Sequence, residues 1–198
     1  MKKAYQNAGI DSRTVQYIEA HGISATTPDA IELDAIQNAY LENAENQKVS
    51  IPGFNCKISA IKPVIGHAEF ASGMDIITKV VKALQIRLIP GIPTFEKLND
   101  EISLDEEHFE LSAENKKWIP VRSENGKSFP RRASLNSYGT GGVNAHIVLE
   151  EYNTADKWIS PANSPMLFVL SADSKATLKT YVSLFTAFLN NSGKTLNL

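Results

Sequence analysis

Two histidines stand beside glycines at the ends of apolar runs: Tyr17-Ile18-Glu19-Ala20-His21-Gly22 and Val64-Ile65-Gly66-His67-Ala68-Glu69. Each run reads as a strand, so each imidazole falls at a strand end, where a side chain can face a ligand. Imidazole donates a hydrogen bond or moves a proton near neutral pH. Two such loops, each followed by a helix, predict a paired imidazole site. Either histidine alone would be read as a satisfied structural residue.

The elements that must position this pair are readable in outline. Residues 1–9 form a short helix stopped by Gly9, and Val15 to Ala20 form a strand leading to His21. Thr27-Pro28-Asp29 reads as a helix start, with Thr27 as cap, Pro28 in the first turn and Asp29 at the positive end of the dipole. That helix runs to about Asn43. Asn55 to Ile61 is a second strand, and Pro63 ends central pairing beyond it. A helix over about 70–85 places Phe70, Met74, Ile77, Val81 and Leu84 on one face, widened by Ile76 and Val80. Ile89 to Pro93 is an extended, turn-rich connection. Short strands are expected near 109–111 and 118–121, and Asn125-Gly126 marks a turn. Strands over 132–138 and 144–150 flank a tight glycine-rich loop, Gly139-Thr140-Gly141-Gly142. Strands alternating with helices predict an α/β domain over residues 1–151. Residues 152–198 read as a linker with a strand over 166–170 and an amphipathic helix over 173–191.

Composition removes several classes. The chain has 198 residues, 42% of them hydrophobic, and a formal net charge of −2. No basic field attracts nucleic acid or anionic lipid. No apolar run approaches the roughly 20 residues that cross a bilayer, and the amino terminus lacks the apolar core of a signal peptide. The single cysteine, Cys56, excludes an intrachain disulfide and reads as a small buried hydrophobe. A cytoplasmic setting and no resident metal are expected. His146 and His108 are read as structural or inert. Arg131-Arg132 reads as a solvated basic pair, with a carrier protein's acidic surface as the alternative partner.

Three motifs together resemble the C-terminal half of a β-ketoacyl synthase, the condensing domain of polyketide and fatty acid synthases. The family pattern E-A-H-G-T-G-T-x-x-G-D-x-x-E is met by Glu19-Ala20-His21-Gly22-Ile23-Ser24-Ala25 and, further on, by Asp29 and Glu32. The pattern K-S-N-I-G-H-x-E is met by Lys62-Pro63-Val64-Ile65-Gly66-His67-Ala68-Glu69. The pattern S-F-G-x-G-G-T-N-A-H is met by Ser137-Tyr138-Gly139-Thr140-Gly141-Gly142-Val143-Asn144-Ala145-His146. Leu170-Ser171-Ala172 and the helix after it are similar to the linker that follows modular polyketide ketosynthases.

The resemblance implies a thiolase-like α/β fold, C-terminal half only. It implies an acyltransferase that condenses carrier-bound acyl and malonyl thioesters with loss of carbon dioxide. His21 and His67 would stabilise the enolate or oxyanion. Lys62 and Glu32 would form a charged pair that orients His67. Gly139, Thr140, Gly141, Gly142 and Asn144 would line the acyl channel. No cofactor is bound directly; the phosphopantetheine arm of an acyl carrier protein brings the substrate. The implied partners are that carrier protein, the N-terminal half of the ketosynthase and a second copy in a homodimer, with neither nucleic acid nor membrane. The family's nucleophilic cysteine lies upstream of the first histidine motif and has no counterpart here, so this chain alone should be inactive. Ile23 and Ala25 replace the motif's threonines, Pro28 its glycine, and Pro63-Val64 its Ser-Asn. Those losses keep two other readings open: a non-elongating transfer or docking domain, and a thiolase-fold enzyme acting on free acyl-CoA.

Overall fold

The computed structural model describes residues 1–47, 50–139, 141–152 and 169–192. It divides into two compact units, Met1–Asn153 and Thr154–Leu198.

The first unit is built on a five-stranded sheet. Its strands are β1 (Val15–Glu19), β2 (Cys56–Ser59), β4 (Phe109–Glu110), β6 (Arg132–Gly139) and β7 (Val143–Glu150), in the order β4-β2-β1-β6-β7. β1 pairs in parallel with β2 and β6, and β2 with β4; only β7 runs antiparallel, as the return arm of a hairpin with β6. A parallel partner demands a long crossover, and α2 (Thr26–Glu45) supplies the one between β1 and β2. A small antiparallel pair joins β3 (Leu88–Ile89) to β5 (Lys116–Lys117). The second of the expected short strands therefore lies just before Trp118, and the connection after residue 86 begins with a strand.

Two cores cover the two faces of the sheet. On one, α1 (Lys2–Ala8) and α2 bring Tyr5, Leu33, Ile36 and Tyr40 onto Val15, Ile18, Ile58 and Phe109. On the other, α4 (Ser72–Ile86) lays Ile76, Val80 and Ala83 on Tyr17, Ala133, Leu135 and Trp118. The helices form where expected, but two details of their placement differ. Thr27 is not the cap of α2: Ala25 occupies that position, and the Thr27 hydroxyl donates to Glu101 Oε2 at 2.9 Å. Asp29 instead accepts from the amides of Ile23 (3.0 Å) and Ala25 (3.1 Å), so a side chain inside the helix satisfies the loop before it.

The buried face of α4 also differs. Ser72, Ile76, Val80 and Ala83 face the sheet, whereas Phe70 and Met74 are exposed, at 107% and 63%. The helix carries apolar side chains on more than one face, and the sheet takes the narrower stripe, where Ser72 and Ala83 permit close approach.

The apolar run before His67, expected as a strand, is instead a short helix, α3 (Lys62–Ile65), with Pro63 in its first turn, so His67 follows a helix and not a strand. A proline that cannot continue the strand is well placed there, since its missing N–H has no intrahelical partner. In the second unit, α5 (Lys175–Ser192) starts with the Ser174 hydroxyl accepting from the Thr177 amide at 3.1 Å. Leu178, Phe185 and Leu189 are half-buried, and Val182 is exposed at 49%. Of the strand expected over 166–170, residues 166–168 lie outside the described residues, and Val169 and Leu170 are in no strand. Among the described residues, no helix is long and apolar enough to cross a membrane.

The sheet-facing side of α4 and the exposed ring in the turn just before it should respond differently to truncation. Ile76→Ala should cost about 2–5 kcal/mol, as a cavity beneath a packed sheet does. Phe70→Ala should stay within about 0.5 kcal/mol. Urea unfolding of the parent chain and both variants checks this; equal losses would mean that the apolar stripe at Phe70 is packed.

Candidate active site

His21 and Lys62 follow the carboxyl ends of the parallel strands β1 and β2, and Tyr138 lies near the carboxyl end of β6 beside them. That edge of an open α/β sheet is where ligand-facing residues collect. The His21 and His67 rings meet edge to face, with centroids 5.8 Å apart and planes at 82°. The two histidines, 46 positions apart in sequence, are therefore direct neighbours in space. His21 is buried at 8% exposure, and His67 is exposed.

Hydrogen bonds fix which nitrogen of each ring carries the proton. His21 Nδ1 faces the Lys62 ammonium at 3.3 Å and the Tyr138 backbone N–H at 3.4 Å. His67 Nδ1 accepts from the Glu69 backbone N–H at 2.9 Å. Ammonium and amide groups only donate, so Nδ1 of each ring is the acceptor and Nε2 holds the hydrogen. Two neighbouring imidazoles thus each present an Nε2–H. Burial, and next to it the nearby Lys62 and His67, push the His21 pKa down to about 4, so that ring is neutral at pH 7.

The loop that carries His21 is held from both faces of the sheet. Glu32, in the second turn of α2, accepts the His21 amide at 2.8 Å and the Gly22 amide at 2.9 Å. Its Oε1 also accepts from Asn136 Nδ2 at 2.9 Å. On the other face, Glu19 takes the Lys79 ammonium at 2.7 Å and the Tyr17 hydroxyl at 2.6 Å. Lys79 also donates to Ser59 Oγ at 2.9 Å, which ties the ends of β1 and β2 to α4. Burial raises the Glu19 pKa and lowers that of Lys79. Gly22 sits at φ 46°, where a Cβ would lie 2.7 Å from that of Ala60. A left-handed turn pressed against β2 leaves room for glycine alone.

Lys62 and Glu32 both lie at the site. Among the described residues no ion pair joins them and neither hydrogen-bonds His67. Both converge on His21: Lys62 Nζ also donates to the His21 carbonyl, and Glu32 grips the His21 amide. Burial lowers the Lys62 pKa against the pull of Glu32, Glu19, Asp75 and Asp29.

Of the expected channel residues, Asn144 lines a cavity of about 550 Å³ with Glu32, Tyr138, His146 and Pro28. Gly139, Gly141 and Gly142 are exposed at the hairpin tip. Gly141 and Gly142 hold φ values of 87° and 85° that close the turn. Thr140 lies outside the described residues. Cys56 is fully buried in β2, and burial drives its thiol pKa far up, so it is no nucleophile.

Arg131 and Arg132 are not a free basic patch, being paired with Glu151 and Glu150. Asp105, Glu107 and His108 cluster at the amino end of β4, the opposite edge of the sheet. His108 is already held there by Asp105 at 2.7 Å and stacked on Phe54. Asn136, Tyr138, Lys79 and His146 are site-supporting residues that the pattern of apolar positions does not reveal.

This arrangement has relatives. Residues 1–96 match the family described as β-ketoacyl synthase, C-terminal domain, and residues 99–196 match the ketoacyl-synthetase C-terminal extension. The chain belongs to the β-ketoacyl synthase family, and its fold is the thiolase-like α/β fold of that family's C-terminal half. It is 45% identical over 185 residues to polyketide synthase PksR of Bacillus subtilis, a match spanning 90% of this chain and 7% of that protein. Polyketide synthase ThaG of Burkholderia thailandensis is 46% identical over 152 residues, 76% of this chain and 3% of that one. Among solved structures it resembles ketosynthase twelve of the bacillaene polyketide synthase of Bacillus amyloliquefaciens. That match has a TM-score of 0.65 at 29% identity and spans 96% of this chain and 30% of that one. The module 6 ketosynthase of the Bacillus subtilis bacillaene synthase gives 0.64 at 30% identity, spanning 97% and 30%. The chain thus spans less than a tenth of those curated relatives and about a third of those ketosynthase chains.

Titration of the site should be visible in stability. The pKa of His21 is depressed from 6.5 to about 4 by folding, and that of His146 likewise. The unfolded chain therefore binds protons first as pH falls. The contribution of each is full above 6.5 and is lost as pH falls toward about 4. Glu19 and Asp29, raised by burial, act with the opposite sign. The test is thus a difference: between about pH 7 and pH 5, His21→Gln should lose less stability than the parent chain in urea titrations. Parallel losses would mean that the His21 ring titrates normally in the fold.

Proposed function

We propose that this chain contributes the oxyanion-stabilising half of a polyketide synthase ketosynthase. In this reading residues 1–151 belong to the ketosynthase domain and 152–198 to the linker that follows it. The observation that carries it is the pair of adjacent imidazoles, each obliged by its Nδ1 partners to present an Nε2–H.

The chemistry follows from that donor pair. An acyl chain is held as a thioester on a cysteine outside this chain, and a second carrier delivers a malonyl thioester. The bond between the malonyl α-carbon and its carboxylate breaks, carbon dioxide leaves, and the electron pair becomes an enolate. N–H groups on His21 and His67 aimed at the thioester oxygen stabilise that charge as it develops, each worth a few kcal/mol. The enolate carbon attacks the acyl carbonyl, and the resulting tetrahedral oxyanion collapses with expulsion of the cysteine thiolate. The product is a β-ketoacyl thioester on the carrier. A neutral His21 suits this role, since the ring donates without first giving up a proton.

The nucleophile would come from the N-terminal half of the domain. That half would pack on the apolar fringe around the site, where Ile23, Val64, Ile65, Phe70 and Met74 are exposed at 40–107%. The phosphopantetheine arm of an acyl carrier protein would deliver both substrates, and the assembled domain would dimerise. The transfer-only reading keeps one observation in its favour: Ile23 and Ala25 offer no hydroxyl to a polar arm.

The test mixes this chain with the N-terminal half and follows carrier-bound product by mass spectrometry. Condensation should appear, and His21→Ala or His67→Ala should slow malonyl decarboxylation about 10²–10³-fold. Acyl transfer without carbon dioxide release would establish a non-elongating domain instead. Turnover of free acyl-CoA in preference to the carrier-bound thioester would establish the CoA-dependent alternative. Phe70→Asp should leave this chain's own stability within about 0.5 kcal/mol yet abolish reconstitution. Undiminished assembly would remove the proposed contact face.

A further inference from the structure

One half-buried imidazole near the site has no part in the chemistry above. His146 lies on β7 directly opposite Asn136 on β6, and its Nδ1 sits 2.6 Å from Asn136 Oδ1. Asn136 is completely buried, and its other arm, Nδ2, is 2.9 Å from Glu32 Oε1. His146 Nε2 is buried and has no hydrogen-bond partner among the described residues. The Tyr5 ring closes over the imidazole edge to face at 5.2 Å.

The arrangement has one consistent set of protons. A carboxylate only accepts, so the Asn136 amide must turn Nδ2 toward Glu32. Its Oδ1 then faces His146, and an oxygen at 2.6 Å from a ring nitrogen requires that nitrogen to carry the hydrogen. The opposite tautomer would set two lone pairs against each other and strand an N–H at Nε2, the rarer kind of orphan. Turning the amide over would set Asn136 Oδ1 against Glu32. His146 is thus the reverse of His21 and His67, with its hydrogen on Nδ1 and a bare Nε2.

We propose that His146 is a positioning residue for His21, acting through Asn136 and Glu32. Its Nδ1–H holds the Asn136 amide in the single orientation that supports Glu32. Glu32 in turn holds the amides of His21 and Gly22, and so the ring that Lys62 and Tyr138 address. Burial lowers the His146 pKa to about 4, which keeps the ring neutral at pH 7 and the tautomer specific. The importance of the relay for catalysis rests on the condensation reading. The relay itself does not, because its test needs no substrate.

The test has two readouts on the full chain. Imidazole nitrogen shifts of ¹⁵N-labelled protein should report hydrogen on Nδ1 of His146 and on Nε2 of His21. Amide hydrogen exchange at His21 and Gly22 should be about tenfold faster in His146→Leu, which keeps bulk but removes the donor. His146→Asn, whose amide nitrogen takes the place of Nδ1, should restore exchange to within about twofold of the parent. Exchange at Ile58 in β2 should be unchanged in both, which separates a local loosening from a general one. An Nε2–H tautomer at His146, or unaltered His21 and Gly22 exchange in His146→Leu, would overturn the proposal. Should His146→Leu not fold, the tautomer in the parent decides alone. Success here with no condensation on reconstitution would leave the relay standing and remove the function; the converse outcome would do the opposite.

Discussion

The grip of one carboxylate on one loop is the constraint on which the rest depends. Glu32 accepts from the amides of His21 and Gly22 and from the side chain of Asn136, and it does so almost fully buried. A carboxylate removed from water is costly unless each oxygen finds donors, and charge-assisted bonds to three N–H groups meet that condition. Meeting it dictates much of the architecture. α2 must begin directly after the loop so that its second turn reaches back. Gly22 must take a left-handed turn so that two successive amides point at one carboxylate. β6 must lie beside β1 so that Asn136 arrives from the sheet.

The same strand end is restrained on its other face by a second buried charge. Successive side chains of β1 point to opposite faces, so Glu19 and Tyr17 look toward α4 while Ile18 and Ala20 look toward α2. Lys79 meets Glu19 there and carries the tie across to Ser59 of β2. Buried ion pairs add little net stability, because desolvation consumes most of the attraction. Their effect is on geometry: neither partner can leave without stranding the other. A histidine that must hold its ring within a fraction of an ångström is served by that kind of restraint, and His21 has it above and below. His67 has far less. It is exposed on a loop and fixed mainly by the Glu69 amide.

What the sequence disclosed, and what it did not, divides along the same line. His21 and His67 were legible because each sits beside a glycine after an apolar run, and the strands and helices around them follow from short-range periodicity. Thr27 reads as a cap, yet no side chain caps α2; Asp29 instead reaches back from the first turn, one carboxylate oxygen to each of two loop amides. Along α4 and the turn before it, the stripe through Phe70 and Met74 outweighs the one through Ile76, Val80 and Ala83 by apolar bulk. Packing on a sheet selects the smaller stripe because interaxial approach, not bulk, limits burial. The pairing of Asn136 with His146 depends on hairpin register. A glycine-rich loop bounded as 139–142 leaves the first cross-strand pair open, whereas the structure closes on Gly139 and Val143. A slip of one residue would turn His146 to the opposite face and dissolve the relay.

Register therefore links the fold to the chemistry more tightly than residue identity does. Gly141 and Gly142, with their positive φ values, set the turn. The turn sets which β7 residue faces Asn136, and that residue sets the orientation of an amide whose two ends are nearly the same shape. Only one orientation lets Glu32 keep all its donors. The glycines at the hairpin tip, which the resemblance assigns to a substrate channel, thus have a structural task that their exposure does not suggest. They set the register that holds His146 opposite Asn136 in the same hairpin. A substitution there that leaves the hairpin formed but shifts its register should resemble loss of His146 rather than loss of a binding surface, since the path from turn to imidazole runs through hydrogen bonds whose donors and acceptors cannot be exchanged.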